Sequence, residues 1–197
     1  MAKIITAAEA ADLIRDGMTL GVSGFGAFAS PDYVMEAMSR KFKEQNTPRD
    51  LTIVSGVAPG DFVEDGCGLS KIKDEGIIRT LIASHLRMSP AIGRACSENK
   101  IAAFSMPLGV YGQLLNSKRP GIITHVGLNT YADPRQDGCK MNELAKADGR
   151  EMVELIHVSG KDYLFYKAFH IDACILHASY ADTEGNISLQ NEPVHGD

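Results

Sequence analysis

The sequence predicts an α/β fold: an open, mainly parallel sheet flanked by helices, with a strand-rich C-terminal part. Two observations carry this. Short, apolar, turn-bounded runs alternate with helical patterns from the N-terminus onward, the order that lays parallel strands between helices. In the last third the helical patterns give way to strand-like runs divided by Gly and Asp, which points to antiparallel or mixed pairing there.

Taken in order, Thr6 and Glu9 form a capping-box pair, and Ala10, Leu13 and Ile14 supply the i, i+3, i+4 stripe of a short amphipathic helix. Asp16-Gly17 closes it. Residues 18–22 are apolar and read as a buried strand. After Ser23-Gly24-Phe25-Gly26, the pair Ser30-Pro31 reads as an N-cap with proline at the first helical position, and Val34, Ala37, Met38 and Phe42 form the inward face of the helix. Residues 51–55, 81–83, 101–104 and 122–126 repeat the strand theme, with a helix over 90–97. Residues 152–158, 163–166 and 174–180 are the closing strands, and Tyr163, Phe165, Tyr166 and Phe169 are expected in the sheet core. No repeat or low-complexity linker divides the chain, so residues 1–197 are read as one domain.

A chain of 197 residues that is 44% hydrophobic is large enough to fold around its own core. A net charge of -5, with no basic cluster, excludes a nucleic-acid or anionic-membrane partner. No apolar run approaches the roughly 20 residues of a spanning helix, and Met1-Ala2-Lys3-Ile4 leads into a helix rather than a signal peptide. Cys67, Cys96, Cys139 and Cys174 are far apart, without the close pairs a zinc site uses, and read as reduced thiols of a cytoplasmic protein.

The chemistry concentrates in the glycine-rich segment between the first strand and second helix. Ser23, Gly24, Phe25 and Gly26 sit where backbone N–H groups and a helix N-terminus can face an anion, and where glycine allows close approach. The same spacing suits a tight turn with no ligand. Gly24-x-Gly26-x-x-Ala29 also matches the dinucleotide fingerprint, but the expected helix starts beyond the motif, and the next strand ends without the acidic residue that would hold a ribose. His85 follows a strand and is a second pocket candidate.

Several blocks, in order, resemble the N-terminal half of the family I coenzyme A-transferases. They are Asp16-Gly17 through Ser23-Gly24-Phe25 to Pro31, then Glu98-Asn99-Lys100-Ile101, Lys118-Arg119-Pro120-Gly121, and Asn129-Thr130-Tyr131-Ala132-Asp133-Pro134-Arg135 with Gly138, Lys140 and Asn142. Asp182-Thr183-Glu184-Gly185-Asn186-Ile187 completes the set. Tyr163-Leu164-Phe165-Tyr166 is similar to the single-chain propionate and acetate branch.

The resemblance implies an open α/β fold and ping-pong transfer of CoA between short-chain carboxylic acids, with acyl-CoA and free acid as substrates and no metal or redox cofactor. It implies that the nucleophilic glutamate lies in a C-terminal half beyond Asp197, so that this chain is a truncated, inactive piece. A homo-oligomer is expected. The alternative is a non-catalytic binding or scaffold module that shapes the pocket for a partner chain. The resemblance adds Leu108, Gly109 and Thr130 as pocket candidates; Leu108 stands where many relatives carry Gln, which implies a more apolar acyl pocket. Ser97-Glu98-Asn99 superficially resembles the nucleophile motif of two-subunit relatives, but Lys100 replaces its glycine, and Glu98 is read as a solvated helix-end residue. Arg135 and Lys140 are read as surface charges around a turn, with anion binding as the alternative.

Overall fold

The computed structural model describes residues 1–115 and 119–193. Lys118 and Val194 therefore lie outside the described residues. Five strands form one parallel sheet in the order β4-β3-β2-β1-β8: β1 (Thr19–Val22), β2 (Leu51–Val54), β3 (Ile78–Ala83), β4 (Ala102–Ser105) and β8 (Ala173–Ile175). Helices α1 (Ala7–Leu13), α2 (Asp32–Gln45), α3 (Pro90–Ser97), α4 (Leu108–Leu115) and α5 (Glu143–Ala147) accompany it. A second, antiparallel sheet has the order β5-β7-β6: β5 (Gly121–Thr124), β6 (Val153–Val158) and β7 (Lys161–Lys167). A small antiparallel pair, β9 (Tyr180–Ala181) and β10 (Ile187–Ser188), follows.

The parallel sheet is covered on both faces, which is why its strands read as continuous apolar runs. Register aligns Leu20, Ile53, Leu81 and Ala103 in one row across four strands. These side chains join Ala11, Ile14, Met35, Met38 and Ile92 from α1, α2 and α3 in the first core. Their neighbours Val54, Ile82, Ala102 and Phe104 point to the opposite face, as the period of two requires. There they meet Val110, Tyr111 and Leu114 of α4, with Leu164 and Tyr166 of β7. The antiparallel sheet thus packs on one face of the parallel one.

Local signals fared unevenly. The Thr6–Glu9 capping box is present, but the buried stripe of α1 is Ala7, Ala11 and Ile14, and Leu13 is 65% exposed. Helix α2 begins at Asp32 with Pro31 as N-cap and no side-chain cap; the Ser30 hydroxyl instead donates to Asp32 Oδ1 at 2.6 Å. The Pro107-Leu108-Gly109 turn is the first turn of α4, with the Val110 and Tyr111 N–H groups donating to Pro107 O. In the closing run 174–180 the strand is broken: Ala173–Ile175 extends the parallel sheet beside β1, and Tyr180 begins β9, which pairs with β10 instead. Tyr166 is fully buried, with its hydroxyl donating to Val126 O at 2.9 Å, whereas Tyr163, Phe165 and Phe169 are only partly buried.

Asn142 ties three elements together. Its Nδ2 donates to Cys96 O and Ile101 O, each at 2.7 Å, and its Oδ1 accepts from Ala145 N–H at 3.0 Å and Ala103 N–H at 3.2 Å. Replacing it with alanine removes the α5 cap and leaves backbone groups around it unpaired, an expected loss of about 2–3 kcal/mol in a urea titration. Asn142→Asp keeps the acceptor but not the donors, and its loss should be intermediate.

Candidate functional site

All five parallel strands end at the same edge of the sheet, and in such sheets ligands bind outside the carboxyl ends of the strands. The loops leaving β1, β2 and β3 lie against one another there. Gly60 N–H donates to Gly26 O at 2.9 Å, Ala58 N–H to His85 O at 3.0 Å, and Phe62 N–H to Met88 O at 2.9 Å. Ser23–Gly26, His85 and the Leu108–Gly109 pair all lie at this edge, since Leu108 follows the end of β4.

Ser23 works as a post. It is buried, its N–H donates to Ile175 O, its hydroxyl donates to Ala29 O at 2.8 Å, and its Oγ accepts from His177 N–H at 3.0 Å. Beyond it, Phe25 and Phe28 exchange backbone hydrogen bonds of 3.0 and 3.1 Å, closing a four-residue turn with both rings partly exposed. Gly24 has φ +132°, and a Cβ there would lie 2.9 Å from Pro59 Cβ. Among the described residues, the N–H groups of Gly24, Gly26 and Ala27 donate to no protein acceptor. Helix α2 begins three residues past Ala29, so the motif turns back on itself and is not the helix entry of a dinucleotide fold.

His85 is exposed and lines an open cleft of about 620 Å³ between the end of β3, helix α3 and the segment carrying Tyr131 and Met141. Leu86, Arg87 and Ser105 also line it. Leu108 and Gly109 are exposed at the start of α4 and do not line this cleft. Thr130 does not line it either: its hydroxyl donates to Gly127 O at 2.7 Å, and its neighbour Tyr131 faces the cleft instead.

The charged residues of this segment are committed elsewhere. The Arg135 guanidinium grips Asp133 through Nε (3.0 Å) and a second nitrogen (2.7 Å) and reaches Asp162 at 3.0 Å. That guanidinium, followed by the N–H groups of Asn129 and Arg135, holds the Asp133 carboxyl far below the usual carboxylate range. Lys140 pairs with Glu151 at 2.7 Å. Glu98 caps the end of α3, exposed and paired with Lys100.

Burial pushes the Cys67 thiol up to about 11 and those of Cys96 and Cys139 up to about 12, so none of the three is an activated nucleophile. Among the described residues no group of His, Cys, Asp and Glu has the arrangement of a metal site, and no helix is long and apolar enough to cross a membrane. One cluster had no sequence signal: the Glu192 carboxylate holds both His177 Nε2 at 3.2 Å and the Ser179 hydroxyl at 2.8 Å beside the glycine loop.

The profile of the coenzyme A transferase family matches residues 4–197. The chain is 42% identical to caffeate CoA-transferase of Acetobacterium woodii over 195 residues, covering 98% of this chain and 36% of the relative. It is 34% identical to acetate CoA-transferase YdiF of Escherichia coli (strain K12) over 198 residues, with the same shares covered. The crystal structure of the acyl-CoA transferase YdiF from E. coli O157:H7, in thioester complex with CoA, superposes with a TM-score of 0.89 at 34% identity, over 95% of this chain and 36% of that one. The chain thus spans little more than a third of these relatives, aligning with their N-terminal third. With a profile match across nearly its whole length and this shared fold, the chain belongs to the family I coenzyme A-transferases.

Proposed function

We propose that this chain is the N-terminal domain of an acyl-CoA:carboxylate CoA-transferase, acting in the cytoplasm on short-chain acids, with the nucleophilic glutamate supplied from outside residues 1–197. The observation that carries this reading is the glycine loop, whose unused N–H groups lie at the same strand-end edge of the sheet as an open cleft. Such donors stabilise the oxyanions formed when a carboxylate attacks a thioester and when the resulting anhydride is attacked by CoA. The family assignment supports the reading, as does the relatives' greater length, which leaves room for the second half of a homo-oligomeric enzyme. The named acids of those relatives, acetate and caffeate, span a wide range of size.

The test is intact-mass spectrometry after incubation with acetyl-CoA, alongside an assay of transfer from acetyl-CoA to propionate. The chain alone should form no covalent CoA adduct and show no transfer. Joined to the remaining polypeptide it should form a borohydride-sensitive glutamyl-CoA adduct. Turnover by the chain alone would overturn the assignment of the nucleophile and make Glu98 the first residue to replace. Absence of adduct in the joined protein would favour a binding module.

A further inference from the structure

The cleft beside His85 is larger and more apolar than a two-carbon acid needs. Its volume of about 620 Å³ lies in the size range of small-molecule sites, although it opens to solvent, and its walls include the Tyr131 ring (41% exposed), Met141 (52% exposed) and Leu86. Polar groups at its lining are unspent. Among the described residues neither Arg87 nor the His85 imidazole meets a carboxylate or any hydrogen-bond partner through its side chain, and the buried Ser84 Oγ has no partner either. By contrast, Arg94 on the neighbouring helix α3 is held by Glu64.

Position adds a length. The glycine loop leaves β1 and the cleft opens at the end of β3, with β2 between them, so the two start roughly 10 Å apart at two inter-strand spacings. An acetyl group held at the loop does not reach the cleft. An extended acyl group of roughly eight atoms does, at about 1.3 Å of advance per bond.

Resting on the CoA-transferase reading proposed above but extending its substrates beyond short-chain acids, we propose that the cleft is a specificity pocket for long acyl groups: Tyr131 and Met141 pack against a flat or extended apolar body, and Arg87 with His85 takes a hydrogen-bond acceptor at its far end. Aromatic stacking on Tyr131 supplies preference for a planar body. The guanidinium supplies preference for an oxygen at the tip.

The experiment is direct binding of free acids to the 197-residue chain by ligand-observed NMR, with no CoA and no turnover. The probes are acetate, 3-phenylpropenoate and 3-(4-hydroxyphenyl)propenoate, against the parent chain, Tyr131→Ala and Arg87→Met, each checked for an unchanged melting temperature. Acetate should bind at least about tenfold more weakly than either aromatic acid. Tyr131→Ala should weaken both aromatic acids about tenfold, and Arg87→Met should weaken the hydroxylated one about fivefold while sparing its unsubstituted analogue. Equal binding of all three acids, or parental affinities in either variant, overturns the proposal. Failure of the joined protein to form a CoA adduct would instead sink the transferase reading and leave the binding result standing.

Discussion

Asp133→Ala is expected to lower the unfolding free energy by about 3 kcal/mol, the low end of the cost of stripping one partner from a buried ion pair. Asp133 is 0% exposed and accepts from the Asn129 and Arg135 N–H groups and twice from the Arg135 guanidinium. The low end applies because Arg135 is itself partly exposed and keeps Asp162. For a chain of this size the melting temperature should fall by roughly 9 °C, readable by calorimetry. A loss below about 1 kcal/mol would mean that water replaces the carboxylate without penalty.

The same carboxylate sets an acid limit. Because its folded pKa is depressed, the unfolded chain takes up the proton more readily. Its contribution is therefore complete above the ordinary aspartate value of about 3.9 and drains away as pH falls toward the lower folded value. Asp133→Asn should be less stable at neutral pH yet lose less on acidification below pH 4. Parallel acid limbs for the two proteins would assign the acid sensitivity to other carboxylates.

Gly24→Val in the complete enzyme is expected to cut CoA transfer by at least about tenfold, the scale of displacing one oxyanion donor. The backbone at φ +132° disfavours any side chain, and the new Cβ would press on the Pro59 ring, so the loop must shift. Gly17→Ala, outside the loop, is the control. Gly17 has φ +73° with nothing within 4 Å of an added Cβ, so that change costs only the left-handed backbone, about 1 kcal/mol. Parental turnover by a normally folded Gly24→Val protein would reduce the segment to a turn.

How much of this was legible in sequence follows from where each signal comes from. Strands β1 to β4 were readable because burial on both faces demands largely uninterrupted apolar residues, as in Leu51–Val54, whereas the partly exposed β8 gave no sign that it joins the same parallel sheet. Helix α4 escaped because Gly109 and Gly112 dilute its pattern, and α5 because five residues give no period. The glycine loop and His85 were legible as strand-end residues. Tyr131, Met141 and the Glu192–His177 pair were not: they come from irregular segments whose placement depends on tertiary packing. Arg135 was legible as a surface charge at a turn, with anion binding as the alternative, but its actual partners, Asp133 and Asp162, appear only in the fold.

The placement of β8 has a consequence for how the chain is made. Thr19 N–H donates to Asp172 Oδ2 across 153 residues, and Leu20 pairs with Ala173, so the sheet closes on one of its earliest strands with one of its last. Strands β1 to β4 can assemble as soon as Ser105 leaves the ribosome, but about 70 further residues must be synthesised before β8 arrives. At ordinary translation rates that takes roughly 4–14 s, far longer than strand pairing itself. During this interval Thr19–Val22 is a nascent edge with unpaired backbone groups, open to another chain. Vectorial synthesis thus makes the β1 edge the segment where chaperone capture or misassociation on the ribosome is concentrated.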